Sequence, residues 1–285
     1  MVRVVSDTST MYPTKEARKA GFAVSPLAVT IAGESYRELD EMSPARFVEI
    51  INQGNMPISS QPAIGEVMEL YEEFAGDEIL NIAMADGLSG TYSSAVSAAQ
   101  MSPNKDKITV INSMTLCGPH RYMVETATKL AAGGMGMEAL VAKVHEMMAT
   151  TKSYLIPADF DYLRRGGRLS AAVAFIGKTI KLSPVMTLTE DCRRLTASAV
   201  KRSFKQALAH VADELPKQEM GDGTGWRIYV VHGEAPEKAE EAKGILAACY
   251  PKAEYVLSTL TPAFITQGGP GCVAVQSIKL VKKRI

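Results

Sequence analysis

The sequence is poor in the features that announce catalysis or metal binding. Its four cysteines, Cys117, Cys192, Cys249 and Cys272, lie far apart and none belongs to a C-x-x-C pair. Neither a disulfide framework nor a zinc knuckle is expected, and small buried thiols are. The four histidines, His120, His145, His210 and His232, show no metal-ligand spacing with one another and read as surface or helix residues. No G-x-x-x-x-G-K-[ST] occurs, so there is no P-loop. The 31 basic and 31 acidic residues cancel, and the basic tail Lys282-Lys283-Arg284 is short. That leaves no electrostatic footprint for nucleic acid. No stretch reaches the length of a membrane span, so no stable membrane insertion is expected. The opening Met1-Val2-Arg3-Val4-Val5-Ser6-Asp7 lacks the apolar core of a signal peptide, and a cytoplasmic location is expected. Internal repeats and low-complexity tracts are missing too.

What remains is an ordinary globular composition, 46% hydrophobic and 22% charged over 285 residues. That length suggests two domains, with the boundary near Lys152: an α/β domain over 1–152 and a second over 153–285. Val2 to Val5 reads as a buried strand ending in the hydroxyl-rich loop Ser6-Asp7-Thr8-Ser9-Thr10. In open α/β sheets ligands gather at such strand ends, whereas a cap or an Asx-turn accounts for only some of the five residues. Val24 to Ile31 is a second extended candidate. Ser43-Pro44 is an N-cap with an N1 proline, opening a helix to about Gln53. Ser59-Ser60-Gln61-Pro62 reads as a loop, either another cap with its proline or part of a binding site. A helix follows from Ile64 to Phe74 with Val67, Leu70 and Tyr71 on one face.

Ile79 to Met84 is expected as a strand, Ser89 to Met101 as a helix and Ile108 to Ile111 as a strand. Helices follow from His120 to Ala132 and from Glu138 to Met148. The βαβαβ order implies right-handed crossovers and a parallel sheet. Gly134-Met135-Gly136-Met137-Glu138-Ala139 fits a relaxed dinucleotide fingerprint, but it follows a helix rather than a strand and reads as a helix end.

In the second half, Tyr154 to Pro157 is extended and Asp159 to Leu163 is a short helix. Ala171 to Ile180 is a small-residue apolar stretch suited to a pocket wall or a packing helix. Two edge-type strands are expected at Leu182 to Leu188, which contains Pro184, and at Arg194 to Thr196. A helix from Val200 to Glu214 precedes a polar loop, Gln218 to Gly225. Then come a strand Trp226 to His232, a helix Pro236 to Ala248, a strand Glu254 to Leu257, and a tight turn Gln267 to Gly271 into a last strand.

The chemistry concentrates at Ala85-Asp86-Gly87-Leu88-Ser89-Gly90-Thr91-Tyr92, where an apolar strand gives way to a small-residue helix. Backbone N–H groups, the helix dipole and two hydroxyls converge there on a point that attracts an anion. Gly87-Leu88-Ser89 begins a nucleophile elbow, but Thr91 occupies the place of its second glycine and no histidine follows in triad context. Asp86 can act as a general base, a metal ligand or a cap. With Ser59, Ser60 and Arg168, the hydroxyls Ser89 and Thr91 suit holding a carboxylate or phosphate better than breaking a bond.

Five stretches in order resemble the motifs of the DegV family of bacterial fatty-acid-binding proteins, and together they span nearly the whole chain. Ser6-Asp7-Thr8-Ser9-Thr10 with Pro13 resembles T-D-S-T-S-D-x-P, and Ser59-Ser60-Gln61-Pro62-Ala63 resembles T-S-Q-P-S. Leu88-Ser89-Gly90-Thr91-Tyr92 resembles L-S-G-T-Y, and the run Tyr162 to Ser170 resembles Y-L-K-K-G-G-R-I-S. Gly269-Pro270-Gly271 resembles the end of H-T-G-P-G. The resemblance implies a two-domain α/β fold of the EDD type: a parallel-sheet N-terminal domain, a C-terminal α/β domain and a long-chain fatty acid in a tunnel between them. It implies a binding protein rather than an enzyme, with no cofactor beyond that ligand. The carboxylate would meet Ser59, Ser60, Ser89, Thr91, Arg168 and Gln267. The resemblance further implies a fatty acid kinase as partner, with Arg202 at a basic position serving phosphotransfer. Three residues depart from the pattern: Gln267 stands where the family has histidine, Ala85-Asp86 replaces a Ser-Ser pair, and Met11 replaces an aspartate. The alternative is an α/β phosphotransferase or hydrolase using the same anion site, and a third reading is a regulatory protein with a vestigial pocket.

Overall fold

The structure, a computed structural model, describes residues 1–173, 182–215 and 219–281. Most of the apolar stretch 171–180, the first residue of the 218–225 loop and the basic tail 282–284 lie outside the described residues. The chain divides into two compact units, Met1–Ala149 with Thr261–Ala263, and Thr150–Leu260 with Phe264–Ile285.

The first unit is built on a four-stranded parallel sheet, strand order β2-β1-β6-β7: β1 (Val2–Asp7), β2 (Ala23–Ser25), β6 (Glu78–Ala83) and β7 (Ile108–Asn112). Residues of β1 and β6 are buried on both faces, as the apolar runs of a covered parallel sheet require. One face packs on α3 (Ile64–Glu73) and α4 (Thr91–Met101). Val67, Leu70 and Tyr71 of α3 and Ala95, Ala98 and Ala99 of α4 meet Val5, Ala23 and Ile79 there. The small residues of α4 let it lie close to α3, and the Tyr71 hydroxyl donates to the Ala95 carbonyl at 3.2 Å. Helix α5 (Cys117–Ala132) also packs on β1, followed by α6 (Met137–Met148). Gly134, at φ 87°, ends α5, and Gly136 is the N-cap of α6, so the pseudo-fingerprint joins two helices.

Between β2 and α3 the chain forms a small antiparallel sheet, order β4-β3-β5, from β3 (Ala28–Ile31), β4 (Glu34–Arg37) and β5 (Ile58–Ser60); α1 (Thr14–Lys19) and α2 (Pro44–Asn52) complete the unit. The single extended segment expected over Val24 to Ile31 is therefore two strands in two sheets, broken at Pro26. Ser59 and Ser60 lie on a strand, not in a loop. Nor do they cap α3, whose N-cap is Ala63 with no side-chain bond.

The second unit holds a six-stranded mixed sheet, order β10-β9-β8-β13-β11-β12: β8 (Lys152–Ile156), β9 (Ser183–Leu188), β10 (Leu195–Lys201), β11 (Trp226–His232), β12 (Glu254–Thr259) and β13 (Val273–Lys279). Alternation divides its faces. Tyr154, Ile156 and Val185 meet α8 (Phe204–Glu214) and α9 (Pro236–Cys249) in one core. Leu155 and Met186 point the other way, to Leu163 of α7 (Phe160–Gly166) and to Leu169.

Three expectations fail here for identifiable reasons. β9 is interior, despite Pro184, because β8 pairs only with Met186 and Thr187 and stops short of the proline's missing N–H. The segment Val200–Arg202 is not helix. β10 runs to Lys201, and α8 begins after Ser203, whose Oγ accepts the Gln206 N–H at 3.3 Å. The turn expected over Gln267 to Gly271 is half helix, since α10 (Pro262–Gly268) opens on an N-terminal proline and contains Gln267. Among the described residues no helix is long and apolar enough to cross a membrane.

Candidate functional site

In the first unit, the strand ends of β1 and β6 deliver two of the motif stretches to one sheet edge, and β5 brings a third. After β6 the chain turns through 84–90 into α4. Ser89 lies just outside that helix, and its Oγ is 2.8 Å from Thr91 Oγ1 and accepts the Thr91 N–H at 3.3 Å. Thr91 is buried and Ser89 half-buried, so the pair forms one hydroxyl cluster rather than two independent donors. The N-cap position itself is Gly90, which caps nothing with a side chain. A Cβ there would fall 2.3 Å from Oε1 of Gln61, so glycine is what lets the Gln61 amide lie against the α4 entrance. Gln61 then donates to Ser94 Oγ at 3.2 Å. Thus Ser59-Ser60-Gln61 and Leu88-Ser89-Gly90 are brought together. Adjacent strand residues face opposite sides: Ser60, which pairs with Ala28, is exposed, and Ser59, opposite Val29, is half-buried. Asp86 is half-exposed, and its N–H donates to Asn112 Oδ1 at 3.3 Å, tethering the loop to the end of β7.

The opening hydroxyl loop is not a set of idle donors. Ser6, Asp7, Thr8, Ser9 and Thr10 are all buried and all bonded within the unit. Asp7 accepts the Ser9 N–H at 2.8 Å and the Met84 N–H at 3.0 Å. Thr8 donates its hydroxyl to Glu38 and accepts the Leu27 N–H at 3.0 Å. Thr10 bonds the Asp7 carbonyl at 2.9 Å.

His120 lies in helix α5, as one of its two readings had it, but is fully buried, which corrects the other reading as a surface residue. Its Nδ1 meets Ser9 Oγ at 2.5 Å and its Nε2 meets the Ile82 carbonyl at 2.9 Å. Burial lowers its pKa, partly offset by Asp7 and by the Ile82 carbonyl. Glu38, just after β4, is likewise fully buried; desolvation lifts it to about 7 against hydrogen bonds that lower it. Sequence reasoning passed over both, because nothing in a lone histidine or glutamate betrays its burial. The only signal for His120 was its place in the first turn of α5, directly after Gly118 and Pro119. The cysteine expectation divides: Cys117 and Cys272 are buried, whereas Cys192 is half-buried and Cys249 exposed.

In the second unit the remaining two motifs meet each other. Gly166 has Gln267 Oε1 where a Cβ would stand, 1.9 Å away, and Gly269 is packed on the Tyr162 ring, with a Cβ position 2.9 Å from it. Arg168 donates to the Gly166 carbonyl. Gln267 and Arg168 therefore both lie at Gly166. Burial of Arg168 lowers its pKa, and neighbouring Arg194 lowers it further. Arg194 donates to the Gly167 carbonyl at 3.0 Å, and the stretch after Arg168 bridges to Leu195. Arg194 thus has a local structural role in closing that loop. Arg202 stands apart on the bend between β10 and α8, exposed, its N–H held by Gln206 Oε1 at 3.1 Å. No group of three or more acidic, histidine or cysteine side chains placed to hold a metal is found among the described residues.

Comparisons with known proteins agree with the family resemblance. The family described as "Uncharacterised protein, DegV family" matches residues 1–280. Protein DegV of Bacillus subtilis is 30% identical over 277 residues, 96% of this chain and 98% of its own. Among solved structures, that of DegV, a fatty acid binding protein from Bacillus subtilis, superposes with a TM-score of 0.85 at 29% identity, covering 98% of this chain and 99% of that one. A DegV family protein from Thermus thermophilus, described by its fatty acid binding, superposes with a TM-score of 0.87 at 26% identity, covering 98% and 99%. With the family's match running from the first strand into the last, and both units reproduced in those structures, this chain belongs to the DegV family.

Proposed function

We propose that this protein binds a long-chain fatty acid and performs no chemistry of its own, its carboxylate held by Ser89 and Thr91 with Ser59 or Ser60 at the edge of the first unit. The observation that carries the reading is the Ser89–Thr91 hydroxyl pair at the entrance of α4, with Gly90 opened to Gln61. Two hydroxyls at a helix N-terminus favour an anion, and the relatives that resemble this chain over their whole length are described as fatty acid binding. Of the two β5 serines, half-buried Ser59 is the better placed, because a carboxylate gains most from donors shielded from water. Arg168 and Gln267 are proposed as further head-group contacts on the strength of the resemblance. A partly desolvated guanidinium beside a second one gains from an anion. Gln267, in place of histidine, can hydrogen-bond a carboxylate but brings no charge.

The energetics favour a tail-driven ligand. About 14 buried methylenes at roughly 0.8 kcal/mol each supply on the order of 11 kcal/mol before binding entropy is subtracted. Hydrogen bonds to the charged head, about 1.5 to 3 kcal/mol each, roughly offset its desolvation and so fix orientation rather than affinity. We further propose that the bound acid is presented to a fatty acid kinase, with exposed Arg202 on the partner-facing side. The enzyme alternative has no specific observation in its favour, since the Ser9–His120 pair is buried away from any substrate. Titration of a fluorescent fatty acid into wild type and Ser89→Ala tests the reading. The variant is expected to fold normally and to bind about 1 to 3 kcal/mol more weakly. Unchanged affinity removes Ser89 from the site.

A further inference from the structure

Resting on the fatty-acid reading, we propose that His120 is a positioning residue for the head-group loop, fixing the end of β6 from which Ser89 and Thr91 are suspended. The Ile82 carbonyl can only accept, so the His120 ring carries its proton on Nε2 and donates at 2.9 Å. Nδ1 is then bare and accepts the Ser9 hydroxyl at 2.5 Å. Ser6 donates to the same Ile82 carbonyl at 2.6 Å. Two residues on, the Met84 N–H is held by Asp7 at 3.0 Å, and the Ala85 N–H by the Thr115 carbonyl at 2.9 Å. Ser9 is itself fixed by Asp7 at 2.8 Å. The ring of His120 therefore ties the loop after β1 to the last turn-point of β6, immediately before the 84–90 loop. A leucine would fill the same space without requiring two polar partners, so what the imidazole adds is direction. Donors that meet a carboxylate must be held to within roughly half an ångström to act together.

The test compares displacement of a fluorescent fatty acid by hexadecanoic acid and by 1-hexadecanol, for wild type, His120→Leu, His120→Gln and Ser9→Ala, with folding followed by circular dichroism. A positioning role predicts that His120→Leu weakens acid binding about tenfold, the equivalent of about 1.4 kcal/mol, and alcohol binding by less than about twofold. His120→Gln, whose amide N–H can reach the Ile82 carbonyl, recovers most of the acid affinity. Ser9→Ala, which removes only the hydroxyl that orients the ring, shifts the acid-to-alcohol ratio in the same direction and decides the matter if His120→Leu does not fold. Equal losses for acid and alcohol, or unchanged acid binding in a folded variant, overturn the proposal while leaving the fatty-acid reading intact. A wild-type protein that binds neither compound overturns both.

Discussion

Replacing Glu38 by glutamine should make the protein more stable at pH 8 and leave it almost unchanged at pH 5. Glu38 has no exposed surface. Its Oε2 accepts the Ala263 N–H at 2.9 Å and its Oε1 the Thr8 hydroxyl. The Thr261 hydroxyl lies close enough to favour the ionised carboxylate, yet makes no hydrogen bond of ordinary geometry. Desolvation, the largest influence, outweighs these donors, and the nearby Asp7 adds to it, so the carboxyl is pushed up to about 7. The folded value is raised above the unfolded one. The folded state therefore holds the proton more tightly, and the stability this brings is present below about 4.5 and lost as pH rises through about 7. Raising the carboxyl from its ordinary value to about 7 corresponds to roughly 3 kcal/mol. The glutamine oxygen can still accept from Ala263, but its N–H₂ must face Thr8, whose oxygen already accepts the Leu27 N–H, a mismatch of about 1 kcal/mol. The expected net gain is about 1 to 3 kcal/mol at pH 8. Urea unfolding followed by far-UV circular dichroism at several pH values measures it. Tryptophan fluorescence would not serve, because the sole tryptophan, Trp226, is in the second unit. A difference between variant and wild type that stays flat from pH 5 to 8, or a variant less stable at pH 8, refutes the argument.

The same measurements in the Glu38→Gln background isolate His120, whose shift has the opposite sign. Its folded pKa is depressed, so its contribution is complete above about 6.5 and lost as pH falls below that value toward the folded one; His120→Gln should flatten this acid limb, and an unaltered limb would mean another group causes it. In the second unit, Gly166→Ala should cost no more than about 1 kcal/mol, because its new methyl has only to displace the amide end of the flexible Gln267 side chain. Shortening the glutamine in Gly166→Ala/Gln267→Ala should restore most of the loss, and a double variant no better than the single one would place the strain elsewhere.

The parts of the fold that were legible were those fixed by local pattern. β11 falls on Trp226–His232 as expected because Ile228 to Val231 is an apolar run, and the strand is buried at six of seven positions. α2 begins at Pro44 because Ser43 and the proline set that terminus by short-range chemistry. What escaped was decided at long range. β5 is a strand because β3 offers it an edge, not because Ile58-Ser59-Ser60 alternates. Pro184 sits in an interior strand because its neighbour is too short to need its N–H. One miss was avoidable: Ser203 and Gln206 have the spacing of a capping pair, and that spacing places the start of α8 after Arg202 rather than before it.

The candidate site divides along the same line. Ser89, Gly90 and Thr91 were readable because a glycine between hydroxyls at a strand-to-helix junction has few local uses, and motif order added the rest. The layer beneath them was not readable, since its members are distinguished by burial alone. Asp7, Ser9, Glu38 and His120 are common residues at unremarkable spacings, up to 113 positions apart, yet they form one bonded group around the ends of β1 and β6. A sequence read locally gives the hydroxyls that could touch a ligand. Only the packing of α5 onto the sheet and the burial of Glu38 after β4 reveal that those hydroxyls hang from a buried polar scaffold containing two groups that burial shifts toward their neutral forms. For that reason the departures Asp86 and Gln267, which stood out in the motifs, matter less to the stability of the first unit than Glu38 and His120, which did not.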